Sequence, residues 1–131
     1  MSLSTRARRG VLPLTNARES RRALLQDLVE LGGPLLRLLG DLAKYGWDAD
    51  EPLFEVRPEH VGAVLKRYCD GTLSETDVED WANALEVRDD LAFNPRGTVR
   101  ELTFELANPT LQGKLTKQRA AAMMDGLPKG G

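Results

Sequence analysis

The stretch from Leu73 to Arg88, LSETDVEDWANALEVR, decides the fold. Leu73-Ser74-x-x-Asp77-Val78 is a complete helix-start signal. Ser74 can accept from the backbone of the third helical residue, Asp77 can answer onto the Ser74 N–H, and Leu73 can staple onto Val78. Val78, Trp81, Ala82 and Leu85 then recur at helical spacing, so the segment reads as an amphipathic helix running to about Arg88.

Working outward, the same grammar recurs. Asn16 with Glu19 reads as the start of a first helix carrying Leu24, Leu28 and Leu31, which Gly32-Gly33 stops. Pro34 suits the first turn of a second helix, about 34–45, which Gly46 ends. Residues 47–57 read as a loop with a short extended piece at Leu53–Val56. Pro58 opens a third helix burying Val61, Val64, Leu65 and Tyr68, closed by Gly71. The decisive stretch is the fourth. Residues 89–97 read as a loop. Thr98 with Glu101 caps a fifth helix with Val99, Leu102 and Leu106, ended by Asn108-Pro109. Thr116 starts a short sixth through Ala120, Met123 and Met124, stopped by Gly126.

No internal repeat and no sustained period-2 pattern occurs. The expected fold is all-α: a single-domain compact bundle of five or six helices with irregular loops. The expected layout is a flexible basic N-terminal arm over 1–15, an all-helical domain over 16–127 and a disordered tail over 128–131. At 131 residues, 41% hydrophobic and 29% charged, the chain can fill one core. With 5% aromatics and 22 leucines, that core must be aliphatic.

Composition excludes several chemistries. A single cysteine, Cys69, forbids an internal disulfide and any Cys-x-x-Cys site, which fits a reducing, cytoplasmic setting. The single histidine, His60, stands nine residues from Cys69 on the same expected helix. That is about 13.5 Å of rise and about half a turn, so the two face opposite ways and a Cys–His dyad is not expected. His60 itself reads as a surface residue. No Gly-x-Ser-x-Gly elbow, Gly-x-Gly-x-x-Gly or phosphate loop occurs. Asp48, Asp50 and Glu59 fall at positions 1, 3 and 12 of a calcium loop, but Leu53 stands where the turn needs glycine. No enzyme activity, no cofactor and no metal site is expected.

Leu24–Leu42 holds nine leucines in nineteen residues, interrupted by Asp27, Glu30, Arg37 and Asp41, which rules out a membrane span. The leucine surplus is read as a central core helix or, alternatively, as a homodimer seam through the Leu-rich helices 24–42. No secretory signal is expected, because no apolar run follows the N-terminal basic residues.

Two charge features point to partners. Between Glu75 and Asp90 lie seven acids, Glu75, Asp77, Glu79, Asp80, Glu86, Asp89 and Asp90, against one base, Arg88. Glu75, Glu79 and Glu86 fall in one row within about 40° on a helix, with Asn83 beside it. A basic protein partner, such as a toxin, would be steered by that surface; a solvated face is the plainer alternative. The candidate binding surface is Glu75, Asp77, Glu79, Asp80, Asn83, Glu86, Asp89 and Asp90. Residues 1–22 carry net +5 and the remainder −7. Arg6, Arg8, Arg9, Arg18, Arg21 and Arg22 could hold a nucleic-acid backbone, although no aromatics interleave with them and nucleic acid is the less favoured partner.

The words Arg67-Tyr-Cys-Asp-Gly-Thr-Leu-Ser, Asp80-Trp-Ala-Asn-Ala-Leu-Glu with Arg88-Asp-Asp, and Phe104-Glu-Leu-Ala-Asn-Pro resemble a family of small bacterial helical proteins to which no activity attaches. The similarity covers about residues 54–125. It implies a bacterial cytoplasmic origin and a stand-alone domain. Small acidic helical proteins of bacteria include toxin-neutralising immunity proteins, an analogy at fold level only.

Overall fold

The computed structural model describes residues 13–46, 49–93 and 97–127. The order is α1 (Pro13–Glu30), α2 (Leu35–Leu42, continued by a 3₁₀ turn Ala43–Tyr45), β1 (Phe54–Val56), α3 (Pro58–Cys69), α4 (Glu75–Glu86), β2 (Leu91–Phe93), α5 (Thr98–Ala107), α6 (Pro109–Gln112) and α7 (Lys117–Gly126). The fold is predominantly helical, as expected for an all-α bundle; the described residues form seven α-helices, of which α6 is a single turn.

The capping box is present as read. Ser74 Oγ accepts from the Asp77 N–H at 3.0 Å, and Asp77 Oδ2 accepts from the Ser74 N–H at 2.8 Å. Such a cap contributes about 1 kcal/mol. Behind it Val78, Trp81, Ala82 and Leu85 are all buried. The Trp81 ring is fully enclosed, and its Nε1–H donates to the Leu28 and Val29 carbonyls at 3.0 and 3.3 Å. It thus satisfies its one polar atom on α1 while filling the core. It belongs to one core with Leu25, Leu28 and Val29 of α1, Val61, Val64 and Leu65 of α3, Val99 and Leu106 of α5, and Ala120 and Met123 of α7. Helix α4 packs most extensively on α5, and α3 on α7.

Helix α3 ends as expected. Gly71 takes the left-handed conformation (φ 88°), and the Thr72 and Gly71 N–H groups close onto the Arg67 and Tyr68 carbonyls. Helix α1 uses the same motif one residue earlier than its glycines suggest. Leu31, not Gly32, adopts the left-handed conformation (φ 50°), with Leu31 N–H on the Leu28 carbonyl and Gly32 N–H on that of Asp27. The Arg67 guanidinium donates to the carbonyls of Glu30 and Leu31, which fixes this strained corner.

Other boundaries differ from the sequence reading. Helix α1 is already formed at Pro13, the first described residue, three residues before Asn16. Pro34 stays outside α2 with extended backbone. Helix α4 stops at Glu86 rather than Arg88. Gly97, at φ 115°, precedes α5, so Thr98 is its first residue and not its cap. Thr116 does cap α7, accepting from Arg119 N–H at 3.1 Å. The terminal segments 1–12 and 128–131 fall outside the described residues.

Part of the expected 89–97 loop is a strand. β2 runs parallel to β1 in the register Phe54–Leu91, Glu55–Ala92 and Val56–Phe93, a two-stranded sheet joined through α3 and α4. The pair is anchored by Asp90, whose backbone carbonyl accepts from Leu53 and Phe54 N–H. Its carboxylate is fully buried. Arg88 grips it with two nitrogens at 2.9 and 3.0 Å, and Arg21 of α1 adds contacts at 2.9–3.0 Å. Arg88 also donates to the Gly46 carbonyl at 3.0 Å. One carboxylate therefore ties together α1, the end of α2, the end of α4 and the sheet.

His60 is not the surface residue expected. It is half-buried in the first turn of α3, with its Nδ1 accepting from the Arg57 N–H at 2.9 Å and its ring 5.6 Å from that of Phe54. It acts as an N-terminal cap.

Candidate functional groove beside the acidic helix

The acidic helix presents different residues to different neighbours. The row Glu75, Glu79 and Glu86 is not a free solvated face. All three are half-buried and lean toward α5 and α6. Lys114 sits 3.7 Å from Glu75. Glu86 lies in a shallow cleft with Arg100 and Phe104, where burial pushes its carboxyl above the ordinary range and Arg100 pulls it partly back. The repulsion within the row is relieved by cations from other elements.

Asp90 leaves the candidate surface altogether. It is enclosed between Arg21 and Arg88 and serves the fold. Asp89, next to it, is exposed.

Away from that row α4 carries Asp77 and Asp80, with Asn83 between them and the row, all exposed. They rim a groove of about 820 Å³ between α4 and α2. Its walls are apolar: Leu31, Leu35, Leu36 and Leu39 from the α1–α2 region face Leu73, Ala84 and Val87. Leu36 is 83% exposed and Val87 63%. Among the described residues, neither Asp77 nor Asp80 takes part in an ion pair. The cation on the groove wall, Arg67, has its guanidinium turned to the end of α1. The rim therefore presents two exposed carboxylates over apolar walls, Asp77 spending one oxygen on the Ser74 N–H.

Three of the eight candidate surface residues, Asp77, Asp80 and Asn83, meet at this groove. The sequence reading missed its apolar half. Leu36 was the available signal: Leu38 and Leu42 are buried and Leu35 and Leu39 partly so, which leaves Leu36 on a helix apolar around more than half its circumference with nothing to cover it. Val87 is a second signal, because it falls off the phase of Val78, Trp81 and Leu85.

Of the arginine cluster, the described members Arg18, Arg21 and Arg22 are each engaged within the chain, and Arg18 and Arg21 line one cleft with Glu51. Arg18 pairs with Glu51 at 3.0 Å, Arg21 with Asp90, and Arg22 lies over the Phe54 ring at 5.4 Å. Arg6, Arg8 and Arg9 lie outside the described residues. Among the described residues no group of three or more His, Cys, Asp or Glu side chains could hold a metal ion, and no helix is long and apolar enough to cross a membrane.

No family model matches the chain, and no curated protein or solved structure matches it either, so the resemblance of residues 54–125 to small bacterial helical proteins gains no support from these comparisons and the groove stands on its own geometry.

Proposed function

We propose that this chain is a small non-enzymatic protein-interaction module, bacterial and cytoplasmic, that binds a basic protein partner through α4 and the groove beside it. The observation that carries the reading is the conjunction of an open apolar groove with two exposed carboxylates on its rim, Asp80 and the capping-box Asp77, that take part in no ion pair among the described residues. Isolated exposed leucines are common, but an apolar hollow rimmed by one sign of charge is the form of a recognition site.

The partner chemistry follows. An amphipathic helix can set apolar side chains at i, i+3 or i+4, and i+7 into the groove between Leu36 and Val87. Lys or Arg on its flank then meets Asp77 and Asp80, with Asn83 as a neutral hydrogen-bonding neighbour. Asp89, beyond the end of α4, extends the attractive field. The charges steer the encounter, and the apolar floor holds the complex. A basic toxin neutralised by this chain, in the manner of an immunity protein or antitoxin, is one partner of that chemistry.

The test is a nuclear magnetic resonance titration of the labelled chain with a synthetic Leu/Lys amphipathic helical peptide. Shifts should centre on Leu36, Asp80, Ala84 and Val87, and affinity should fall as salt rises. Equal binding by a Leu/Glu peptide, or shifts centred elsewhere, would overturn the proposal.

A further inference from the structure

We propose that, when no partner is bound, the groove is filled by a second copy of this chain, through a two-fold contact in which α2 of each protomer enters the other's groove. This goes beyond the partner reading and does not depend on it.

Three observations carry it. First, a knob and a hole lie on one face. Leu36 is the most exposed large hydrophobic residue of the described chain, and it stands at the lip of the apolar groove. A two-fold contact needs this self-complementarity, since each protomer must offer both halves.

Second, Gly40 lies in the interior of α2, where a Cβ would meet nothing within 4 Å. Glycine weakens a helix interior relative to alanine. The single protomer offers no steric reason for it here. Gly40 follows Leu36 by one helical turn, and exposed Ala43 follows Gly40 on the same side. A second backbone approaching along this line would meet no Cβ at Gly40 and a short side chain at Ala43.

Third, the charges match. Arg37, exposed beside Leu36 with its guanidinium over Gly33, would travel with the knob. The groove it enters is rimmed by Asp77 and Asp80. The knob is thus an apolar side chain with a basic neighbour, which complements an apolar groove rimmed by two carboxylates. Partner binding and self-association would compete for one site.

Sedimentation velocity over a concentration series tests this. The full chain should convert reversibly from monomer to dimer as concentration rises to about 100 µM, as weak interfaces do. Leu36→Glu, at an exposed position, should leave the circular dichroism spectrum unchanged and weaken the dimer more than about 100-fold. Arg37→Glu should weaken it about tenfold, and Asp80→Lys in the same chain should restore it. Gly40→Leu should weaken it while keeping the helix. A wild-type chain that stays monomeric up to about 1 mM overturns the proposal, as does a dimer indifferent to Leu36→Glu. A monomer that still binds the Leu/Lys peptide overturns the dimer and leaves the partner reading intact. A dimer sensitive to Leu36→Glu that the peptide never dissociates supports the dimer and counts against the partner reading.

Discussion

Asp90→Ala should be among the most damaging single substitutions in this chain. The carboxylate is fully buried, Arg88 is buried beside it, and Arg21 is 14% exposed on the outer side. Four guanidinium nitrogens lie within about 3 Å of its two oxygens. Removing the carboxylate leaves the positive charges of two arginines without it in a site where water is largely excluded. Breaking a buried pair in this way costs about 3–5 kcal/mol. A domain of this size has about 5–15 kcal/mol of stability in total. The melting temperature should therefore fall by about 10–20 °C. Asp90→Asn is the sharper probe, because it keeps the shape, loses the charge and turns an amide NH₂ toward a guanidinium. It should cost nearly as much as alanine. Replacing Asp90 and Arg88 together by Leu and Met should cost less than Asp90→Ala alone, since the fully buried guanidinium goes with the carboxylate and only Arg21, on the outer side, loses that contact. Urea unfolding followed at 222 nm, with the slope checked for constancy, gives each value. A loss below about 1 kcal/mol for Asp90→Ala would refute the reasoning, because surface ion pairs are worth that little. Asp90 would then return to the list of surface acids.

Two further outcomes are expected. Trp81→Phe should lose about 1–3 kcal/mol through the lost Nε1–H hydrogen bonds to the Val29 and Leu28 carbonyls, of which Leu28 keeps the Leu31 N–H, and Trp81→Ala about 3–5 kcal/mol, measured by the same urea unfolding. For His60, burial lowers the folded-state pKa, with Arg57 adding to the effect and Glu59, Glu30 and Glu55 opposing it. The unfolded chain therefore binds the proton more readily. The contribution is full above the unfolded value of 6.5 and is lost as pH falls through the lower folded value. Protonation also removes the Nδ1 acceptor that caps α3. Melting temperatures at pH 7.5 and 5.0 should show a decline that is smaller in His60→Phe; an identical decline in both would show that the histidine does not couple to folding.

The helical frame is legible where local chemistry alone sets it. Ser74 and Asp77 satisfy each other across one turn, Thr116 caps from its own sequence, and Gly71 supplies the left-handed residue that ends α3. The Trp81 face is legible because its phase needs no knowledge of its partner. What stays hidden depends on distant residues. Three-residue strands are too short to show alternation, and their pairing brings together Phe54 and Leu91 across two intervening helices. Asp90 looks like the last member of a charge run because Arg21, 69 positions away, gives no local sign of reaching it. His60 reads as a surface histidine until Phe54 and the Arg57 N–H close around it. The groove is the extreme case, since a hollow depends on the separation of two helices and not on either one. Leucine surplus marks its wall, but the corner at Leu31, the Gly32-Gly33-Pro34 turn and the Arg88 bond to Gly46 set where α2 stands relative to α4.

That hollow can be tested by filling it. Ala84 is buried at the groove floor with its neighbours Asn83 and Val87 exposed, and it is one of the smallest side chains lining the space. Ala84→Leu adds three carbon atoms directed toward apolar walls from Leu31, Leu35 and Leu39. Filling an open apolar space should change stability by less than about 1 kcal/mol in either direction, the apolar gain offsetting the lost rotamer freedom. The same substitution in a close-packed core would force side chains off their rotamers and cost about 1–3 kcal/mol. The two cases separate cleanly in urea unfolding. The variant should also lose binding of a Leu/Lys peptide, because the anchor side chains would meet an occupied floor. A large loss of stability would place Ala84 in the core and shrink the groove to its rim. Unchanged stability with unchanged peptide binding would show that the peptide sits on the carboxylates alone, and the apolar half of the site would have to be abandoned.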